Sequence, residues 1–260
     1  MAYPTEATAW TEFLKDKYPD GAKVAQLVYN NDFGKSYQKQ FEKTAAENKL
    51  DIVATVAHEP TSDLSNEVTQ ILAANPDVIL GETTSTFCTN LMKLARQGGF
   101  TGPIIISATC QSAQNFVAPA GEAAAEVYTI VVQKDPSDPA YADDEGMKQY
   151  MDDVAQFGGG ADPKLGNTAT GYTIGLLIVD NLKRAAAMEG GLTRANMMNA
   201  VWSTDLELPL AIGGKAKVDG TTDAYVAEYG KIEVFDPATG GYKDTGFTVD
   251  LEGKTGVFTP

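Results

Sequence analysis

Along the first half of the chain, short apolar runs alternate with longer stretches in which apolar residues recur every three or four positions. The runs at 23–29, 51–57, 77–80, 103–107 and 127–132 are rich in Val, Ile or Leu, as expected of strands buried on both faces. Between them, Tyr37, Phe41 and Ala45 lie at i, i+4, i+8. Leu64, Val68, Ile71 and Leu72 follow the same helical period, as do Phe87, Leu91, Leu94 and Ala95. Each predicted helix therefore has one apolar stripe, and Lys35, Lys39, Lys43 and Glu47 take the wet side of the first. A strand followed by a helix, five times over, cannot close as hairpins. The connections must cross over, which predicts an α/β fold with a doubly wound parallel sheet. Ligands of such sheets sit beyond the carboxyl ends of the strands, here 30–34, 82–86 and 108–111.

The pattern changes near Gln133. Two prolines and no periodicity at 134–139 mark a linker or crossing. A helix is predicted over 143–157, ended by Gly158, Gly159 and Gly160. This glycine run follows a helix and has no Lys-Ser/Thr partner, so it reads as a turn and not a phosphate loop. The stretch 168–187 is apolar nearly all round, with Tyr172, Ile174, Leu176, Leu177, Ile178, Val179 and Leu182, and needs cover on most sides. Thr193 is placed to cap a further helix carrying Met197, Met198, Val201 and Trp202. Strands are predicted at 225–235 and 242–249, joined by the turn-forming run 236–241.

With 260 residues, 43% of them hydrophobic, the chain can form one large or two small cores. No run approaches membrane-spanning length. A formal net charge of −15 with no concentrated basic patch argues against nucleic acid as a partner. Cys88 and Cys110 fall at the same end of neighbouring strands. They are either a disulfide, closing a loop worth about 3 kcal/mol, or two buried thiols. His58 is the single histidine, expected on the surface at a strand end. No Ser/His, Cys/His or metal-ligand cluster accompanies it, so no catalytic residue, metal or cofactor is assigned. An acid/base pair of Asp32 and Glu82 is the one enzymatic arrangement the strand ends offer. The loop hydroxyls have a plain structural reading as well: Thr84, Ser85 or Thr86 can cap the helix near Phe87, and Ser112 the one after Cys110.

Several segments together carry a resemblance. Val28-Tyr29-Asn30-Asn31-Asp32-Phe33-Gly34-Lys35, the join Ala74-Asn75-Pro76-Asp77-Val78-Ile79, the prolines of 134–139, Gly171-Tyr172 opening the long apolar helix, and Leu192-Thr193-Arg194 resemble, in order and spacing, the type I periplasmic binding proteins of ABC importers, in the leucine/isoleucine/valine-binding family. The resemblance implies two flavodoxin-like lobes closing over a small solute that is passed to a membrane permease. It covers only the later part of a family member, because the opening βα repeats have no counterpart and 3–9 matches a crossing between lobes. Residues 1–131 then correspond to lobe 2 nearly whole, 132–232 to an incomplete lobe 1, and 233–260 to return strands into lobe 2. The helix over 168–187 lacks the sheet it should pack against, so apolar side chains worth roughly 1.5–3 kcal/mol each would be exposed and drive self-association. Either the chain is a piece of a longer one or the sheet comes from another chain.

Carried over by position, the ligand contacts are Asn31, Asp32 and Phe33, with Phe33 as a wall; Glu82, Thr83, Thr84 and Thr86; and Thr109, Cys110 and Gln111. Thr109 stands where amino-acid binders hold a carboxylate for the ligand ammonium. A neutral hydrogen bond contributes about 0.5–1.5 kcal/mol against about 1.5–3 for a charged one. A carboxylate or other small solute is therefore expected ahead of a zwitterionic amino acid, unless Glu82 replaces the missing anchor and a branched-chain amino acid is kept. An extracytoplasmic location is implied, periplasmic or as an anchored lipoprotein. No apolar leader precedes Met1, so export would require its removal. The same fold also serves as the sensing domain of receptors and regulators.

Overall fold

The computed structural model describes residues 1–255. The last five positions of the expected return segment, 256–260, lie outside the described residues. The chain divides into two compact units. One comprises Ala2–Val131 with Lys231–Val249; the other comprises Val132–Gly230 with residues 250–255.

The first unit opens on a helix, α1 (Tyr3–Lys17). Sequence reading places a lobe crossing at 3–9. Pro4 in the first turn and fully buried Ala7, Trp10 and Leu14 at i, i+3, i+7 make it helical instead. There follow β1 (Ala22–Tyr29), α2 (Asp32–Glu47), β2 (Leu50–His58), α3 (Ser65–Ala73), β3 (Val78–Glu82), α4 (Thr86–Gln97), β4 (Ile104–Ile106) and β5 (Val127–Val131). All the pairings among β1 to β5 are parallel. The predicted helix after β4 does not form. Short 3₁₀ and π turns run from Ala108 to Ala124, interrupted by Pro119 and by Gly121 at φ 60°. Nor does a helix follow β5 directly.

Strand order is β2-β1-β3-β4-β5, with two further strands beyond β5. On one face, Ala25, Leu27, Ile79, Ile104 and Ile106 pack with Val68 and Ile71 of α3 and Leu91, Met92 and Ala95 of α4. On the other, α1 lies along α2. Trp10 stacks on Tyr37 at 5.0 Å, Thr11 Oγ1 meets Thr44 Oγ1 at 2.6 Å, and Gln40 Nε2 donates to Thr8 Oγ1 at 2.9 Å. The order reverses between β1 and β3, and in such sheets the crevice beyond the carboxyl ends at the reversal is the ligand position.

The second unit holds α5 (Glu145–Phe157), α6 (Gly166–Ala187), α7 (Arg194–Trp202) and the two-stranded ribbon β6 (Asp205–Glu207) and β7 (Lys215–Lys217). The strand β8 (Tyr229–Asp236) then joins β5 antiparallel, and β9 (Gly241–Asp250) forms the sheet edge. Met147, Tyr150 and Val154 of α5 make a small core with Ala169 and Leu210. As expected, Thr193 caps α7, accepting from Asn196 N at 3.1 Å. Helix α6 buries only Ala169, Asn181 and Ala185. Ile174, Ile178, Val179 and Leu182 remain 42–49% exposed. Among the described residues no helix is long and apolar enough to cross a membrane.

Candidate functional site

The carboxyl ends of β1, β3 and β4, adjacent in the sheet, bring together the three loops marked by the sequence. At the end of β1, Asn31 is the N-cap of α2, its side chain accepting from Gly34 N at 3.1 Å. A side chain on Gly34 would run into the backbone of Tyr29, so glycine lets α2 start hard against β1. That start fixes Phe33, half-buried, edge-on to Tyr3 at 4.7 Å and to Tyr37 at 5.2 Å. Asn31 and Asp32 are exposed.

At the end of β3 the structure differs from expectation. Glu82 is fully buried and neither of its carboxyl oxygens has a hydrogen-bond partner. Burial, with a smaller contribution from Glu42, pushes its pKa well above the usual carboxylate range, so the neutral acid is favoured. It presents no carboxylate at the surface and makes no acid/base pair with exposed Asp32. Thr83 is also fully buried, Thr84 half-buried, and Thr86 exposed. Between them Ser85 is exposed at φ 61°, a conformation costing a non-glycine residue about 1–3 kcal/mol and typical of ligand loops. Neither Ser85 nor Ser112 makes a capping bond with its side chain, so capping does not account for these two hydroxyls.

At the end of β4, Thr109 is exposed and Gln111 half-buried. Cys110 is fully buried in a disulfide with Cys88 of α4, with Cα atoms 6.5 Å apart. The disulfide reading of the pair is the one realised, and it leaves Cys110 no thiol to offer a ligand. Of the ten expected contacts, Asn31, Asp32, Thr86 and Thr109 are exposed, Phe33, Thr84 and Gln111 are partly so, and Glu82, Thr83 and Cys110 are turned inward.

Two buried groups escape the sequence reading. His58, expected on the surface, is 1% exposed. Its ring stacks on Tyr29 at 4.8 Å, lies 4.6 Å from Phe87, and meets Thr83 Oγ1 through Nε2 at 2.8 Å and Glu59 O through Nδ1 at 3.1 Å. Burial lowers its pKa, favouring neutral imidazole. Its register opposite Tyr29, the last residue of β1, is the signal that places it among the strand ends. Glu59 beside it accepts from Asn30 Nδ2 at 2.5 Å. The second is Glu6 of α1, 1% exposed. It accepts from Tyr37 Oη at 2.7 Å and from Ala108 N at 2.6 Å. Burial raises its pKa to about 7, against the lowering effect of these two donors.

Sequence reading assigns no metal. In the second unit, carboxylate oxygens of Asp223, Glu228 and Glu252 lie within 4.8 Å of one another. Protein donors already serve them: Gly253 N bonds Asp223 Oδ2 at 3.1 Å and Glu228 Oε2 at 2.9 Å, and Lys217 Nζ lies 3.3 Å from Glu252.

The fold has many relatives among solved structures. A fatty acid ABC transporter substrate-binding protein from Thermomonospora curvata is 21% identical with a TM-score of 0.77, over 98% of this chain and 66% of that one. A branched chain amino acid ABC transporter from Thermus thermophilus with bound valine is 18% identical with a TM-score of 0.80, over 96% and 65%. A leucine binding protein from Thermotoga maritima is 16% identical with a TM-score of 0.72, over 96% and 66%. The chain thus spans about two thirds of the length of these structures. No curated protein matches it in sequence. The family model described as periplasmic binding protein matches residues 1–231, nearly the whole chain. With the parallel sheet and its strand-end loops, this match shows that the chain belongs to the periplasmic binding protein family.

Proposed function

We propose that this chain belongs to the extracytoplasmic solute-binding component of an ABC importer and binds a small organic carboxylate, aliphatic or branched, at the strand ends of its sheet unit. In this reading residues 1–131 form one lobe, 132–232 belong to the other, and 233–260 return to the first. A membrane permease is the downstream partner. The observation that carries the ligand class is at β4: the exposed side chain where amino-acid binders place an acid is Thr109, while Glu82, the acid on the neighbouring strand that could replace it, is sealed and favours its neutral form. A ligand ammonium therefore has no acidic anchor at the ends of β3 and β4. A carboxylate can take neutral donors from the Thr84–Thr86 and Thr109 loops, with Phe33 against its apolar part. The structures resembling this fold include binders of both chemistries, one described for fatty acid and others for valine and leucine. The disulfide supports an oxidising compartment. The family and its neighbours are binding proteins, and no turnover is proposed.

Calorimetry with 4-methylpentanoate and with L-leucine tests this reading. Binding of the acid is expected, weakened about five- to tenfold by Thr109→Ala. Submicromolar leucine binding destroyed by Glu82→Gln would overturn it.

A further inference from the structure

His58, the single histidine of the chain, ends β2, yet its ring is engaged with a different strand. Strands β2 and β3 lie on opposite sides of β1, so no ladder bond joins them. The ring lies over the end of β1, stacked on Tyr29 at 4.8 Å, and its Nε2 meets Thr83 Oγ1 at 2.8 Å, one residue past the end of β3. On its other side is Phe87, in the first turn of α4, with ring centroids 4.6 Å apart. Thr83 and Phe87 are the two ends of the loop that carries Thr84, Ser85 and Thr86. One buried ring thus grips this loop on both sides. The residues between its contacts are pushed outward, with Ser85 exposed at φ 61°.

The direction of each hydrogen bond follows from its partner. Nδ1 faces the carbonyl oxygen of Glu59 at 3.1 Å, and a carbonyl only accepts, so Nδ1 carries the ring proton. Burial favours the neutral ring, and a neutral ring protonated on Nδ1 has a bare Nε2. Thr83 must then donate its hydroxyl proton to Nε2. Below the loop lies the Cys88–Cys110 disulfide, whose sulfurs pack 3.6 and 3.9 Å from Thr83 O, with Cys110 Sγ also 3.7 Å from Ser85 O. The disulfide supports the main chain of the loop, whereas His58 fixes the side chain at which the loop leaves the sheet.

We propose that His58 is a positioning residue: held in its Nδ1–H tautomer, it takes the Thr83 hydroxyl proton and sets the outward turn that presents Thr84 and Thr86 to a solute. The solute half of this proposal rests on the function proposed above, and the loop half can be tested without any solute.

With one histidine in the chain, the imidazole nitrogen signals are unambiguous in NMR of the unaltered protein. At neutral pH, Nδ1 is expected as the protonated nitrogen and Nε2 as the bare one. An Nε2–H tautomer or a doubly protonated ring would overturn the proposal. Two variants then separate the Thr83 hydroxyl from its bulk: Thr83→Val keeps the shape without the hydroxyl, and Thr83→Ser keeps the hydroxyl without the methyl. The Ser85 Cα and Cβ shifts, which report its positive φ, should lose that signature in Thr83→Val and keep it in Thr83→Ser. Affinity for 4-methylpentanoate should follow the same order, about five- to tenfold weaker in Thr83→Val and within about twofold in Thr83→Ser. The opposite order, or unchanged Ser85 shifts in Thr83→Val, would make the loop a matter of packing and overturn the proposal. His58→Phe, which keeps the stacking, should match Thr83→Val, and the two together should lose no more than either alone. Additive losses would overturn the link between the two residues. Absence of binding by the unaltered protein counts against the proposed function, and the Ser85 shifts then decide the positioning role alone.

Discussion

The sheet unit and helix α6 are built from the same kinds of side chain and end in opposite surroundings. Leu27, Ile79, Leu80, Ile104, Ile105 and Ile106 are fully buried, each strand covered by helices on both faces. In α6, Ile174, Ile178, Val179 and Leu182 keep nearly half of their surface, and the buried positions are two alanines and Asn181. What α6 does secure lies at its C-terminal half. Arg184 pairs with Asp180 at 2.8 Å and reaches Ser203 O at 3.1 Å, and Thr204 Oγ1 meets Asn181 Oδ1 at 3.2 Å. Apolar patterning thus decides which side of an element seeks cover, but the stabilisation comes only with the cover itself.

The widest separation between the two regions should appear in core truncation. Phe41→Ala, in a fully buried position of α2, is expected to cost about 3–5 kcal/mol by urea denaturation. Ile178→Ala, half exposed, should cost under about 1 kcal/mol. Equal costs would show that α6 is covered in solution. Next in size is the Cys88–Cys110 disulfide, which closes a separation of 22 residues inside the sheet unit. Reduction, or the paired change to serine, should cost about 3 kcal/mol and leave helicity in α5 to α7 largely unchanged.

How much of this was legible in the sequence follows the same division. The five parallel strands, α2, α3, α4 and the Thr193 cap were readable because buried strands and one-sided helices write periodic signals. Helix α1 carries such a signal in Ala7, Trp10 and Leu14 as well, over a segment whose first residues also match a lobe crossing. The ribbon of β6 and β7 has three residues to a strand, too few for alternation to register. Among the site residues, loop positions were legible and orientation was not. Whether Glu82 turns in or out depends on the pleat at the last residue of β3, and no composition rule distinguishes it from the Thr84 that follows. Glu6 was invisible because its partners, Tyr37 and Ala108, are 31 and 102 positions away.

Glu6 gives the comparison a pH axis. Its folded pKa of about 7 lies above the ordinary glutamate value of 4.5, so the folded state holds the extra proton between these limits. Its contribution to stability is fully present below pH 4.5 and lost as pH rises through 7, a change of up to about 3 kcal/mol. Glu82, raised for the same reason, acts in the same direction. The stability of the unaltered protein relative to Glu6→Gln should therefore fall between pH 4.5 and 7.5 in denaturant titrations of the sheet unit. A difference that stays constant would mean that Glu6 titrates normally. Helix α6 shows no counterpart among the described residues, since its ion pair, Arg184 with Asp180, is part-exposed and contributes little.

The smallest effect is expected on α6 itself. Exposed Ile178 contributes little to the fold of one chain, so Ile178→Asp should alter unfolding free energy by under about 1 kcal/mol. Association is a different matter. Ile174, Ile178 and Leu182 fall at i, i+4, i+8 and form a single stripe along the helix, an apolar surface of the sort that soluble monomers seldom leave open. Light scattering should then show concentration-dependent growth in the unaltered protein, and binding of an apolar dye, both reduced by Ile178→Asp with no change in the urea midpoint. A monomer at high concentration with no dye binding would mean that the stripe is too small to matter, and would leave the contrast between α6 and the sheet unit as one of stability alone.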